Sequence, residues 1–219
     1  LSILEIVWVL YDQILNISPE YPDNLHRDRL ILSKGHGCLA LYTVLAQKGF
    51  PFIKDSLGSF AKYGSILGGH PDRTKVAGIE ASTGSLGHGV AISVGVAMSL
   101  KMLRLEKPKV YCIVGDGELN EGSVWESVLL ASQHNLGNLC WIIDYNHSTD
   151  RALEITALAS KFLSFGWFVA GVDGHSLLDL KQALKFQNID CPRVIIANTI
   201  KGKEVSFMEN NPEWHHKIP

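Results

Sequence analysis

The segment Val110-Tyr111-Cys112-Ile113-Val114-Gly115-Asp116-Gly117, with its sequel Leu139-Cys140-Trp141-Ile142-Ile143-Asp144-Tyr145-Asn146, decides how this chain folds. Each begins as an unbroken apolar run and stops abruptly in small or polar residues. Short runs of that kind are strands buried on both faces. Between them, Ser123 to His134 reads as a helix, so the unit is strand, helix, strand. Downstream the alternation continues: a helix over Ala157 to Phe165, a strand over Trp167 to Val172, a helix over Leu177 to Phe186 and a last strand over Arg193 to Ala197.

Upstream, apolar residues at Ile3, Ile6, Val7, Leu10 and Ile14 predict a helix over Leu1 to Leu15, which Pro19 and Pro22 end. The short run Leu30-Ile31-Leu32 breaks at Ser33-Lys34-Gly35-His36-Gly37. Helices are expected from Leu39 to Lys48 and from Ser56 to Lys62, then a glycine-rich stretch from Gly64 to Gly89. A small-residue helix should cover Val90 to Leu105. Buried strands alternating with helices imply a mostly parallel sheet with helices on both faces. No repeat or linker interrupts the pattern, so residues 1–219 are expected to form one α/β domain.

Composition narrows the function. The 219 residues are 46% hydrophobic and 19% charged, with a formal net charge of −2. That suffices for a sizeable core and gives no general basic field for nucleic acid. No run reaches the roughly 20 apolar residues of a membrane span, and no signal peptide is visible. Cys38, Cys112, Cys140 and Cys191 show no metal-ligand spacing, and three lie in apolar runs; reduced thiols in a cytoplasmic protein are the expectation. Leu1 already lies within a helical pattern, so residues are expected upstream of it.

Open α/β sheets bind ligands beyond the carboxyl ends of their strands. Two strands here end in Gly115-Asp116-Gly117 and Asp144-Tyr145-Asn146. Glycine lets backbone N–H groups approach a diphosphate, and a following helix N-terminus favours its charge. The Asp116 carboxylate and the Asn146 amide oxygen are hard ligands suited to Mg²⁺. GDG alone is more simply a tight turn, and Asn146 alone a cap. One strand–helix–strand unit apart, they favour a metal–diphosphate site.

These residues resemble the thiamine diphosphate signature. The stretch GDGELNEGSVWESVLLASQHNLGNLCWIIDYN is similar to the N-terminal half of transketolases, above all those split into two chains. So are RDRLILSKGHG, GGHPD, GIEASTGSLGHG and the ending KGKEVSFMENNPEWHHKIP. The resemblance runs over essentially the whole chain in the family's motif order. It implies the diphosphate-binding domain of the thiamine diphosphate-binding fold. Gly115, Asp116 and Gly117 would hold the diphosphate, Asp116 and Asn146 the Mg²⁺ (or Ca²⁺), and the backbone of Gly84 and Leu86 would face the aminopyrimidine. His36, His70 and His215 match histidines that line the path to the thiazolium, contact diphosphate or substrate and assist proton transfers, His36 also counting among the cofactor contacts. A lone histidine beside glycine is ordinarily a surface or capping group, and only their flanking residues lift His36 and His70 above that. For His215, next to His216 in a polar tail, a solvated pair is a rival reading. His26, His134, His147 and His175 are read as structural. Glu121 and Glu126 match acidic residues that link the family's active sites across a subunit interface, Glu121 also lying among the cofactor contacts. Their alternative is a first-turn carboxylate that complements the helix dipole.

Three departures qualify the match. A family loop bearing another histidine would precede Leu1. His88 stands where relatives usually carry Gln. The segment after Asn146 is about five residues short, which leads us to expect a gap in the chain between His147 and Ser148. The implied activity is transfer of a two-carbon ketol unit between sugar or sugar phosphate substrates. The glutamate that activates the cofactor lies, in the family, on a pyrimidine-binding domain absent here. The resemblance therefore implies a C-terminal partner chain and an α₂β₂ assembly. Two alternatives stay open: another thiamine diphosphate reaction, such as that of deoxyxylulose phosphate synthase, and a non-catalytic scaffold.

Overall fold

The computed structural model describes residues 1–185 and 189–214. Five strands form one sheet: β1 (Arg29–Leu32), β2 (Val110–Gly115), β3 (Leu139–Tyr145), β4 (Phe168–Asp173) and β5 (Arg193–Asn198). Their spatial order is β1-β2-β3-β5-β4, and all neighbouring pairs are parallel. The strand residues alternate between two cores, as successive side chains on a strand must. Tyr111, Ile113, Cys140, Ile142, Ile195 and Ala197 face one core, completed by α1 (Leu4–Val9), α2 (Cys38–Gln47) and α8 (Leu177–Leu184). Cys112, Val114, Trp141, Ile143, Val194 and Ile196 face the other, with α4 (His88–Met102), α5 (Gly122–Gln133) and α7 (Leu158–Ser164). This is the expected architecture, with every strand run buried except the half-exposed edge strand β4. All four cysteines carry free thiols, and three of them are buried.

The topology makes a crevice. After β1 the chain turns at Ser33 and Lys34 toward α2 on the first face; after β2 it turns at Gly115 and Asp116 toward α5 on the second. Where neighbouring strands send their connections to opposite faces, the sheet edge between them opens. Register brings the polar ends level there, with Gly115 opposite Asp144 and Asp144 opposite Ala197.

Three expectations need correction. The first helix is regular only over Leu4–Val9; Leu10–Ile14 widens into a π-turn that closes with the Leu15 N–H on the Leu10 carbonyl at 2.8 Å. The helix expected over Ser56 to Lys62 instead runs earlier, as α3 (Ile53–Ser56) and a 3₁₀ turn, Leu57–Ser59. Gly58 weakens the continuation, and Ala61 takes a left-handed φ of 57° so that its N–H reaches the Leu67 carbonyl at 2.8 Å. A short helix, α6 (Asp150–Leu153), lies where none was expected.

Candidate active site

At the crevice a cavity of about 420 Å³ opens, and its lining includes His36, Leu86, Gly115, Asp116, Gly117 and Asn146. Six residues singled out from the sequence therefore meet in one place. Backbone packing brings the loops together. A Cβ on Gly35 would lie 3.0 Å from the Thr83 carbonyl carbon, and one on Gly89 only 2.5 Å from the Ser33 Cα. The SKGHG and TGSLGHG segments thus touch main chain to main chain, which only glycine permits. Gly87, just before α4, also needs its positive φ of 80°.

The metal side fits a hard cation. Asp116, almost fully buried, accepts the Gly117 N–H at 2.8 Å and the Ser148 hydroxyl at 3.1 Å on Oδ1, and the Ser148 N–H at 2.8 Å on Oδ2. The same Ser148 N–H lies 3.1 Å from Asn146 Oδ1. A carboxylate and an amide oxygen thus converge on a single positive dipole, the arrangement a divalent ion would exploit. No group of three or more His, Cys, Asp or Glu that could hold a metal occurs among the described residues. These two oxygens would need further ligands from a diphosphate or water.

Asn146 is oriented from behind. Its Nδ2 donates to Asp144 Oδ2 at 2.9 Å, which turns Oδ1 toward Asp116. Asp144 is fully buried at the end of β3 and also accepts the Ser2 hydroxyl at 2.7 Å, the Thr199 hydroxyl and the Lys34 ammonium. Burial pushes its carboxyl up, but the Lys34 charge and these hydrogen bonds win, and it titrates below the ordinary aspartate range. Lys34 and Lys201 both line the cavity. Burial, then the Lys34 charge, pushes the Lys201 ammonium down.

On the opposite wall Glu118 is wholly buried. Oε1 accepts the Ser33 hydroxyl at 2.5 Å and the Gly87 N–H at 2.9 Å; Oε2 accepts the Gly115 N–H at 2.9 Å. Burial raises its carboxyl above the usual range, with these bonds and the Lys34 charge acting against the rise. Sequence reasoning missed Lys34, Glu118, Asp144 and Lys201. Asp144, an acid closing an apolar strand, carried a visible signal; Glu118, within a polar run, did not.

Other expected residues lie elsewhere. The His70 ring packs 3.4 Å from where a Gly84 Cβ would be, so these two sit together, but neither lines the cavity. Glu121 and Glu126 are exposed on α5 and its N-cap and do not line it either. The reading of Glu121 as a cofactor contact is therefore not met within this chain. His215 falls outside the described residues. The expected gap at 147–148 is instead a tight turn: His147 takes a φ of 60°, and its carbonyl accepts the Asp150 N–H at 3.4 Å. His88 is exposed, 3.3 Å from the Leu86 carbonyl.

The family profile described as "Transketolase, thiamine diphosphate binding domain" matches residues 1–217. The chain belongs to this transketolase domain family. It is 40% identical to one subunit of the apulose-4-phosphate transketolase of Phocaeicola vulgatus, over all of this chain and 79% of that one. It is 38% identical to a 6-deoxy-6-sulfo-D-fructose transketolase subunit of Clostridium sp. strain MSTE9, over 99% and 80%. Among solved structures, the transketolase of Campylobacter jejuni superposes with a TM-score of 0.89 at 31% identity, over 97% of this chain. The chain spans only 35% of that transketolase. As a transketolase domain it has, among the described residues, no helix long and apolar enough to cross a membrane.

Proposed function

We propose that this chain is the diphosphate-binding component of a thiamine diphosphate-dependent transketolase, a transferase that acts with a partner chain in the cytoplasm. The observation that carries the reading is the convergence of Asp116 and Asn146 oxygens on one donor, beside Gly115 and Gly117, in a cavity at the strand ends. Asp116 and Asn146 would hold Mg²⁺ or Ca²⁺. Gly115 and Gly117 offer close backbone approach to the diphosphate, and Lys34 and Lys201 add positive charge at its rim. Leu86, with Gly84 behind it, would meet the aminopyrimidine.

Thiamine diphosphate, when bound, supplies the carbon nucleophile for moving a two-carbon ketol unit between sugar or sugar phosphate substrates. This chain's share is to bind, orient and exchange protons. His36 lines the cavity and is placed to hydrogen-bond a substrate oxygen. His70, beside Gly84, and His215 are assigned to the same approach. Glu121 and Glu126, exposed at the N-cap and in the first turns of α5, fit a subunit interface. Relatives of which this chain covers 79–81% are named as single subunits of their transketolases, which supports a C-terminal, pyrimidine-binding partner and an α₂β₂ assembly here.

Calorimetry tests this directly. Thiamine diphosphate with Mg²⁺ is titrated into the chain alone and mixed with its partner; tight binding is expected in the mixture. Asp116→Ala should weaken it by more than about 100-fold, since it removes a charged ligand. Absence of binding in both conditions would overturn the reading.

A further inference from the structure

We propose that Glu118 is a positioning residue: it locks the Gly115–Gly117 turn and the Gly84–Gly87 turn at a fixed spacing, so that both cofactor-facing segments are set by one carboxylate. The inference rests on the cofactor reading above and adds a residue that none of the sequence motifs had assigned.

The geometry is specific. Glu118 is fully buried, and its two oxygens reach three separated segments: Ser33 at the end of β1, Gly87 at the start of α4 and Gly115 at the end of β2. Two of these donors are backbone N–H groups of glycines in the turns assigned to diphosphate and aminopyrimidine. Backbone N–H groups only donate, so each needs an acceptor opposite it. A carboxylate presents an oxygen to both. An amide of the same size has one oxygen and one NH₂, and whichever way it turns, one glycine N–H meets another donor. Ser33 differs, because a hydroxyl can reverse its role and accept. The demand for two oxygens therefore comes from Gly87 and Gly115.

This arrangement explains why a charged residue occupies a fully buried position outside the metal site. Bulk could have been supplied by leucine. A rigid bridge between two main-chain turns could not.

The experiment compares wild type, Glu118→Gln, Glu118→Asp and Ser33→Ala, each as the full chain mixed with its partner. The readouts are the Kd for thiamine diphosphate at saturating Mg²⁺ and the melting temperature with and without cofactor. Glu118→Gln is expected to raise Kd about 10- to 100-fold and to shrink the cofactor-induced rise in melting temperature. Ser33→Ala should change Kd by no more than about threefold. Glu118→Asp keeps the charge but loses the span, and should weaken binding in the same direction; it supplies the readout if Glu118→Gln does not fold. A merely structural Glu118 would lower the cofactor-free melting temperature and leave Kd and the cofactor-induced rise intact, which would overturn the inference. Wild type that binds no cofactor would instead overturn the functional reading, and this inference with it.

Discussion

The two walls of the cavity are built differently. On the Glu118 wall, buried backbone meets buried backbone: Gly35 against Thr83, Gly89 against Ser33, and one carboxylate spanning three segments. On the outer wall, residues 146–153 form a short turn and one helical turn, held by an exposed pair, His147 Nδ1 to Asp150 Oδ2 at 2.8 Å, and by the Asp116–Ser148 bonds. The first wall cannot move without breaking buried hydrogen bonds. The second can exchange its few contacts for water at little cost. The contrast teaches that the site's precision comes from strand ends and glycine packing, and its adaptability from the turn beside Asp116 and Asn146.

The sharpest way to break that comparison is to cut the anchor behind it. Asp144→Ala leaves the Lys34 ammonium buried without its carboxylate and frees the Asn146 amide to flip. Stability should fall by about 3–5 kcal/mol in urea unfolding. A loss below about 1 kcal/mol would mean that the strand-end frame is no stiffer than the turn. Next in size is Gly89→Ala. Its new Cβ would fall 2.5 Å from the Ser33 Cα, main chain that cannot rotate away, so about 1–3 kcal/mol should be lost. The smallest effect is expected on the outer wall. His147→Gly relieves a left-handed residue but removes the contact with Asp150 and with the Tyr145 ring, and stability should change by less than about 1 kcal/mol.

The sequence announced the rigid half better than the adaptable half, and for a physical reason. Strands β2, β3 and β5 were legible from their first residue, with ends off by one residue for β2 and β5 and two for β3, because burial on both faces leaves an unbroken apolar run. Gly115, Asp116 and Asn146 were legible because strand ends are where polar residues interrupt such runs. Strand order was not, since the insertion of β5 between β3 and β4 depends on long-range pairing that leaves no local mark. Glu118 was hidden for a related reason: GDGELNEG looks uniformly solvated, and only the fold carries one of its glutamates inward. His175, read as structural, links two elements, Nδ1 lying 3.0 Å from Glu5 Oε1 and Nε2 accepting the Ile200 N–H at 2.9 Å. The region from Ser56 to Ala61 misled because its residues compete between helix and turn, and Gly58 with the left-handed Ala61 decided for the turn.

The charges around the cavity carry a further consequence. Lys34 is neutralised by Asp144 behind it, and Asp116 and Glu118 stand at the same lining, so the two ammonium groups of Lys34 and Lys201 answer to three carboxyl groups. A divalent ion at Asp116 and Asn146, as proposed above, would offset these carboxyl groups where a diphosphate enters. On that reading metal and cofactor would load as a thermodynamic pair, each raising the other's affinity by the same factor. In handling terms, if Asp116 and Asn146 hold that ion as proposed, a chelator added during purification would lower the occupancy of both metal and cofactor.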